Sequence, residues 1–222
     1  MKELQAVIFD MDGVIIDSEP IYFDIERKLF KKLNIEISKK EHHSFVGMTM
    51  EGMWEKIISQ YNLEHKIDEL IKLHEDSIFH YMTNAQNLPM VLHVKELIKL
   101  LSKEKVKIAV ASSSPKKLIE IILEKLNITE FFDYIVSGEE VENGKPNPDI
   151  FLHTAEKLNV NPKKCVVVED SRNGVSAAKS ADMKCIGFKN INSGNQDLSQ
   201  ADLIVDSIGD INIEILEDLV KE

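Results

Sequence analysis

Four carboxylates, a hydroxyl and an amine stand just beyond short apolar runs of this chain, and their types suit chemistry at a phosphoryl group. Asp10 and Asp12 follow Leu4-Gln5-Ala6-Val7-Ile8-Phe9, and Ser112 follows Lys107-Ile108-Ala109-Val110-Ala111. Lys145 lies in the loop Asn143-Gly144-Lys145-Pro146 beyond Tyr134-Ile135-Val136, while Glu169 and Asp170 follow Cys165-Val166-Val167-Val168. If these runs are strands of one parallel sheet, the polar residues meet at the edge where such sheets bind ligands. Asp10, Asp12, Glu169 and Asp170 would then repel one another unless a cation lay among them. An all-oxygen set suits Mg²⁺, which keeps waters and a substrate phosphate in its shell. Asp10 is the expected nucleophile. Asp12, two residues on, is placed to protonate a departing alkoxide and then to deprotonate water. Ser112 and Lys145 offer a donor and a point charge to phosphate oxygens, which is most of what phosphoryl transfer asks of a protein.

Short apolar runs of this kind read as strands buried on both faces. Two more occur, at Met183-Lys184-Cys185-Ile186-Gly187-Phe188 and, more weakly, at Leu203-Ile204-Val205. Helical patterns alternate with them over Val94 to Leu101, Leu118 to Leu126, Ile150 to Leu158 and Val175 to Ala181. That alternation predicts an α/β fold, with a parallel sheet covered on both faces. One interval lacks strands. From Glu19 to Asn87 only helical pattern appears, over Ile21 to Leu33, Lys39 to Phe45, Glu51 to Tyr61 and Ile67 to Tyr81. The expected organisation is therefore a core of residues 1–18 and 88–222, with a helical domain of residues 19–87 inserted after the first strand.

Composition bounds the partners. The chain has 222 residues, 43% hydrophobic and 29% charged, enough for one large domain or a core with an insert. A formal net charge of −11 disfavours nucleic acid and anionic membranes as partners. It also means that an anionic substrate needs local cations. Two cysteines, Cys165 and Cys185, cannot build a disulfide framework and fit a reducing cytoplasm. Met1-Lys2-Glu3-Leu4 leads straight into a strand pattern, so no signal peptide is expected, and no apolar run approaches the roughly 20 residues of a membrane span. A soluble cytoplasmic protein acting on a small phosphorylated metabolite is expected, with oligomeric state open.

Each residue also has a plainer reading. Asp12-Gly13 is a common turn, Ser114-Pro115 reads as a helix N-cap, and Asp170 or Ser171 could cap a helix near Arg172. Histidines such as His42-His43 have no metal-site spacing and read as surface or insert residues. Trp54 sits in a helical pattern and reads as packing. Met48, Met50 and Met53 could line a substrate pocket or fill the insert's core.

The ordered set Asp10-Met11-Asp12-Gly13-Val14, Ser112, Lys145-Pro146 and Glu169-Asp170 resembles the four motifs of the haloacid dehalogenase-like phosphohydrolase superfamily. Asp17-Ser18-Glu19-Pro20 and Gly144-Lys145-Pro146-Asn147-Pro148-Asp149 resemble its branch of β-phosphoglucomutases and sugar-phosphate phosphatases. The resemblance spans nearly the whole chain and implies a Rossmann-like core with a helical cap inserted after the first strand; the cap is expected to close over the core, with hinges near Asp17-Ser18 and Asn87-Leu88-Pro89. It implies Asp10 as nucleophile and metal ligand, and Asp12 as acid/base with its carbonyl on the metal. Ser112 and Lys145 would hold phosphate, Asp170 would bind Mg²⁺, and Glu169 would act through water. Within Val46-Gly47-Met48-Thr49-Met50-Glu51, Met50 stands where the mutases carry an arginine for a second phosphate, and Pro115 replaces a helping lysine. Tyr22 and His93 also depart, from a usual His and Gly. The missing cations favour a Mg²⁺-dependent phosphatase working through phospho-Asp10 over β-phosphoglucomutase. A haloalkanoate dehalogenase would have no need of the acidic pair Glu169 and Asp170. A phospho-accepting signalling module is the alternative of another class, against which the long helical insert and Asp12 argue.

Overall fold

The computed structural model describes residues 3–45 and 48–221. Six strands form a parallel sheet: β1 (Ala6–Phe9), β2 (Lys107–Ser112), β3 (Tyr134–Ser137), β4 (Cys165–Glu169), β5 (Lys184–Phe188) and β6 (Leu203–Val205). Their order is β3-β2-β1-β4-β5-β6, and every pairing is parallel. Nine α-helices are described: α1 (Glu19–Lys32), α2 (Lys39–His43), α3 (Met50–Tyr61), α4 (Ile67–Asn84), α5 (Val94–Lys103), α6 (Lys116–Lys125), α7 (Asp149–Leu158), α8 (Arg172–Ser180) and α9 (Ile213–Val220). The chain divides into two compact units, one holding residues up to Asp17 and from Asn87 on, the other Ser18–Gln86.

In the first unit, alternate strand residues face opposite layers. Ala6, Ile8, Ala109, Ala111 and Val167 pack with Ile150, Phe151, Val175 and Ala178 of α7 and α8. The other parity, Val7, Phe9, Ile108, Val110, Val166 and Val168, is buried as well. Continuous apolar runs rather than alternation are what a sheet covered on both faces demands. Cys165 and Cys185 are free thiols in these layers, and burial pushes Cys165 up to about 12, which keeps it unreactive. The α9 helix is absent from the sequence reading, although its buried residues Leu216 and Val220 stand at helical spacing. The two chain segments flanking the second unit are zipped together. Asp17 N–H donates to Pro89 O at 2.8 Å, Val91 N–H to Ile15 O at 2.9 Å, and Ile16 bridges Met90 antiparallel.

The second unit is the strandless interval, built from α1 to α4. Thr49 caps α3, its side chain accepting from Gly52 N–H at 3.1 Å, and Asn62 ends that helix in the left-handed region. Ile25, Leu29 and Phe30 of α1, Trp54 and Ile57 of α3, and Leu70 and Met82 of α4 are buried. Trp54 is packing, as its pattern suggests. Of the two readings of His42, surface or insert, the second holds: it is 2% exposed, stacked on Phe23 with ring centroids 3.5 Å apart, and 2.5 Å from Glu26 Oε2. Of the methionines, Met53 is buried, while Met48 is exposed and Met50 half-buried. Val46, Gly47 and the His43 side chain lie outside the described residues.

Candidate active site

Strand register puts the chemistry together. Phe9 is level with Val110 on one side and with Val168 on the other, so Asp10, just past β1, stands beside Ala111 and Glu169 near the ends of the three central strands. Asp10 N–H extends the ladder by donating to Val168 O at 3.0 Å. The chain then turns through Met11, whose carbonyl accepts from the N–H groups of Val14, Ile15 and Ile16. Gly13 takes φ +79° in this turn, and a Cβ there would fall 2.0 Å from Asp170 Oδ2. Only glycine permits both the backbone angle and the approach of Asp170.

Lys145 reaches into this edge. Its Nζ donates to Asp10 Oδ1 at 2.5 Å, to Glu169 Oε1 at 2.7 Å and to Ala111 O at 3.1 Å, and it stands 5.1 Å from the centroid of the Phe151 ring. Burial alone would pull its ammonium down, but Asp10 and Glu169 outweigh burial and hold it above the ordinary lysine value. Glu169 is held on its other oxygen, where Oε2 accepts from Ser171 N–H and Ser171 Oγ, both at 2.9 Å. Ser171 also caps α8, accepting from Gly174 N–H at 3.0 Å. The capping reading of Ser171 is therefore right, and it leaves Asp170 to the site.

The carboxylates are uncomfortable. Burial raises Asp10 to about 7, with Glu169 and Asp12 adding repulsion and Lys145 opposing. Burial, then Glu169 and Asp10, raise Asp170 well above the carboxylate range, and Ser193 works against the rise. Among the described residues no three acidic, imidazole or thiol side chains form a closed metal cage. The sequence reading has four carboxylates awaiting a cation. In the structure the chain supplies part of that charge itself, through Lys145.

Ser112 Oγ accepts from Ser114 N–H at 3.1 Å, which leaves its own hydrogen available to a ligand. The N-cap reading of Ser114 is corrected. Pro115 is the cap residue of α6, without a side-chain capping bond, and Ser114 Oγ instead donates to Asp12 Oδ2 at 2.9 Å. His93 also acquires a reason. It sits at φ +68° before α5, a left-handed position that glycine would fill without strain. The sequence reading misses the loop after β5, where Asn190, Asn192 and Ser193 approach Gly13, Asp17 and Asp170. The signal was present, because this polar stretch also follows a strand end.

Residues 7–188 match the haloacid dehalogenase-like hydrolase family. The chain belongs to that family. Among its relatives is a phosphorylated carbohydrates phosphatase of Thermotoga maritima, 33% identical over 82% of this chain and 84% of that protein. A β-phosphoglucomutase of Bacillus subtilis is 32% identical over 97% of this chain and 95% of its own length. Among solved structures, a β-phosphoglucomutase from Clostridium difficile superposes with a TM-score of 0.79 at 29% identity, covering 98% of this chain and 97% of that one. This haloacid dehalogenase-like hydrolase is thus a phosphohydrolase of the β-phosphoglucomutase and sugar-phosphate phosphatase branch, and its α/β core is that of the family.

Proposed function

We propose that the protein is a Mg²⁺-dependent phosphatase of a small phosphorylated carbohydrate, acting through an aspartyl-phosphate on Asp10. The observation that carries this reading is the Lys145 ammonium held 2.5 Å from Asp10 and 2.7 Å from Glu169 at the ends of the central strands. The phosphatase and mutase relatives support the substrate class.

Asp10 attacks phosphorus as the carboxylate. The new Oδ–P bond forms as the ester P–O bond breaks, and Asp12 gives its proton to the departing oxygen. Ser114, donating to Asp12 Oδ2, fixes the orientation of that carboxyl group. In the second half, Asp12 takes a proton from water, whose oxygen attacks phosphorus, and the Oδ–P bond breaks to release inorganic phosphate and free Asp10. Ser112 and Lys145 bind the phosphoryl oxygens in both steps. Glu169 acts on Lys145: with one oxygen on the ammonium and the other on Ser171, it aims the cation.

The donor chemistry fits Mg²⁺, which prefers one or two carboxylates, carbonyls and waters to a full protein cage. Asp10, Asp170 and the Asp12 carbonyl are the candidate ligands, with Glu169 in contact through water. Two buried carboxylates held above their ordinary range are the kind of site that gains from a divalent ion. When bound, the ion supplies charge neutralisation between nucleophile and ester.

Mutase action is the second reading, favoured by similarity over nearly the full chain to the Bacillus enzyme. Met50 and Pro115 argue against it, since neither can grip a second phosphate. Purified protein with Mg²⁺ and a panel of sugar phosphates is expected to release inorganic phosphate, and Asp10→Asn to lose at least about 10³-fold. Conversion of β-glucose 1-phosphate to glucose 6-phosphate without release would establish the mutase instead. Equal rates for wild type and Asp10→Asn would refute both.

A further inference from the structure

The loop between β5 and β6 is anchored to the site at three points. Asn190 Nδ2 donates to Gly13 O at 2.8 Å, Asn192 Nδ2 donates to Asp17 Oδ2 at 2.7 Å, and Ser193 Oγ donates to Asp170 Oδ2. Ser193 is itself held from both sides. Its N–H donates to Asn190 O at 3.2 Å, and its carbonyl accepts from Gln196 Nε2 at 3.0 Å. Gln196 Oε1 in turn accepts from the N–H of Arg172, at the start of α8 and two residues after Asp170. The ring Asp170–Ser193–Gln196–Arg172 closes around the carboxylate.

Ser193 and Asp170 are each 6% exposed, so water competes poorly for this hydrogen bond. Gly13 walls the same oxygen: a Cβ there would come within 2.0 Å of Asp170 Oδ2 and 2.9 Å of Ser193 Oγ. Oδ1 accepts no hydrogen bond from a described residue. One oxygen of the carboxylate is thus tied down, and the other has no donor among the described residues.

We propose that Ser193 is a positioning residue for the divalent ion, fixing the Asp170 carboxylate by Oδ2 so that Oδ1 takes the metal. The inference rests on the reading of Asp170 as a ligand. It adds a partner from a loop outside the four motifs. Groups that orient a metal ligand in this way control affinity more than the chemical step, and losing one typically costs about 10–100-fold in binding.

The test is Mn²⁺ binding followed by electron paramagnetic resonance, with Mg²⁺ as competitor, on wild type, Ser193→Ala and Ser193→Thr. Ser193→Ala is expected to raise both dissociation constants about 10–100-fold, and Ser193→Thr, which keeps the hydroxyl, to restore them to within about threefold of wild type. With a sugar phosphate as substrate, the turnover deficit of Ser193→Ala is expected to shrink as Mg²⁺ is raised, which loss of packing alone would not produce. Should Ser193→Ala fail to fold by circular dichroism, Ser193→Cys, nearly isosteric with a weaker donor, is read in its place with the same expectation. A folded variant with wild-type metal affinity, or a deficit independent of Mg²⁺, overturns the proposal while leaving the phosphatase reading intact. Wild-type protein that binds neither ion overturns both.

Discussion

Asp10 is asked to be an anion in surroundings that penalise anions. Buried beside Glu169 and Asp12, it keeps its proton up to about 7 although Lys145 pulls the other way. A metal ion binding there must displace that proton. The sign follows directly: above about 7 the carboxylate is already free, and below it each unit of pH leaves about tenfold less of the binding form. The Mg²⁺ dissociation constant, measured calorimetrically from pH 5.5 to 8.5, is expected to rise about tenfold per unit below 7 and to flatten above it. Burial raises Asp170 as well, so its proton competes with the metal in the same direction. A flat profile would remove Asp10 from the ligand set. The six candidate residues were legible because each is a chemically capable type directly after an apolar run or in its following loop. Their contacts were not. Nothing in the spacing says that Lys145 spans Asp10 and Glu169, or that Ser114 abandons the α6 cap for Asp12, since both depend on which strands become neighbours.

The strand order settles those neighbours, with β1 lying between β2 and β4. Asp10, Ser112 and Glu169 are thereby gathered from segments far apart in sequence. The α8 helix does more than cover the sheet, because it passes so close to Glu169 that a Cβ on Gly174 would fall 1.7 Å from Glu169 Oε1. Replacing a glycine inside a helix by alanine ordinarily stabilises by about 0.5–1 kcal/mol. Here Gly174→Ala is expected to do the reverse, lowering the midpoint of thermal unfolding. It should also cut phosphate release about 10–100-fold by displacing Glu169 from Lys145. A stabilised, fully active variant would show that Glu169 does not aim the lysine. Element types were readable because periodicity and buried runs were strong. The α9 helix was readable too, from the helical spacing of Ile213, Leu216 and Val220, and the sequence reading passed over it.

At the scale of the whole molecule, the two units hold different buried charges. In the Ser18–Gln86 unit Glu26, His42 and His74 form a titratable cluster, with His74 2% exposed and 3.7 Å from Glu26. Burial pulls His74 below its ordinary value of 6.5, with Glu26 opposing and His42 assisting. The unfolded chain therefore takes up a proton as pH falls through 6.5, while the folded unit refuses it until a lower pH. The stability this confers is complete above 6.5 and is lost on acidification. Trp54, the single tryptophan, lies edge-on to His74 with ring centroids 6.0 Å apart. Its emission is expected to change as pH falls below 6.5, ahead of the loss of far-ultraviolet dichroism, and His74→Gln is expected to move that change to lower pH. Coincident transitions in wild type and variant would dismiss the histidine as the cause.

The zipped segments around Asp17 and Pro89 have an architectural corollary. The sheet-bearing chain leaves and re-enters at a single closed seam, Ile15 to Asp17 against Pro89 to Val91, so its continuity does not depend on what is spliced between. Lengthening, shortening or exchanging residues 18–86 would be mechanically silent to the strands that carry Asp10 and Glu169. Such a seam lets the inserted unit be exchanged while the reactive groups stay in register.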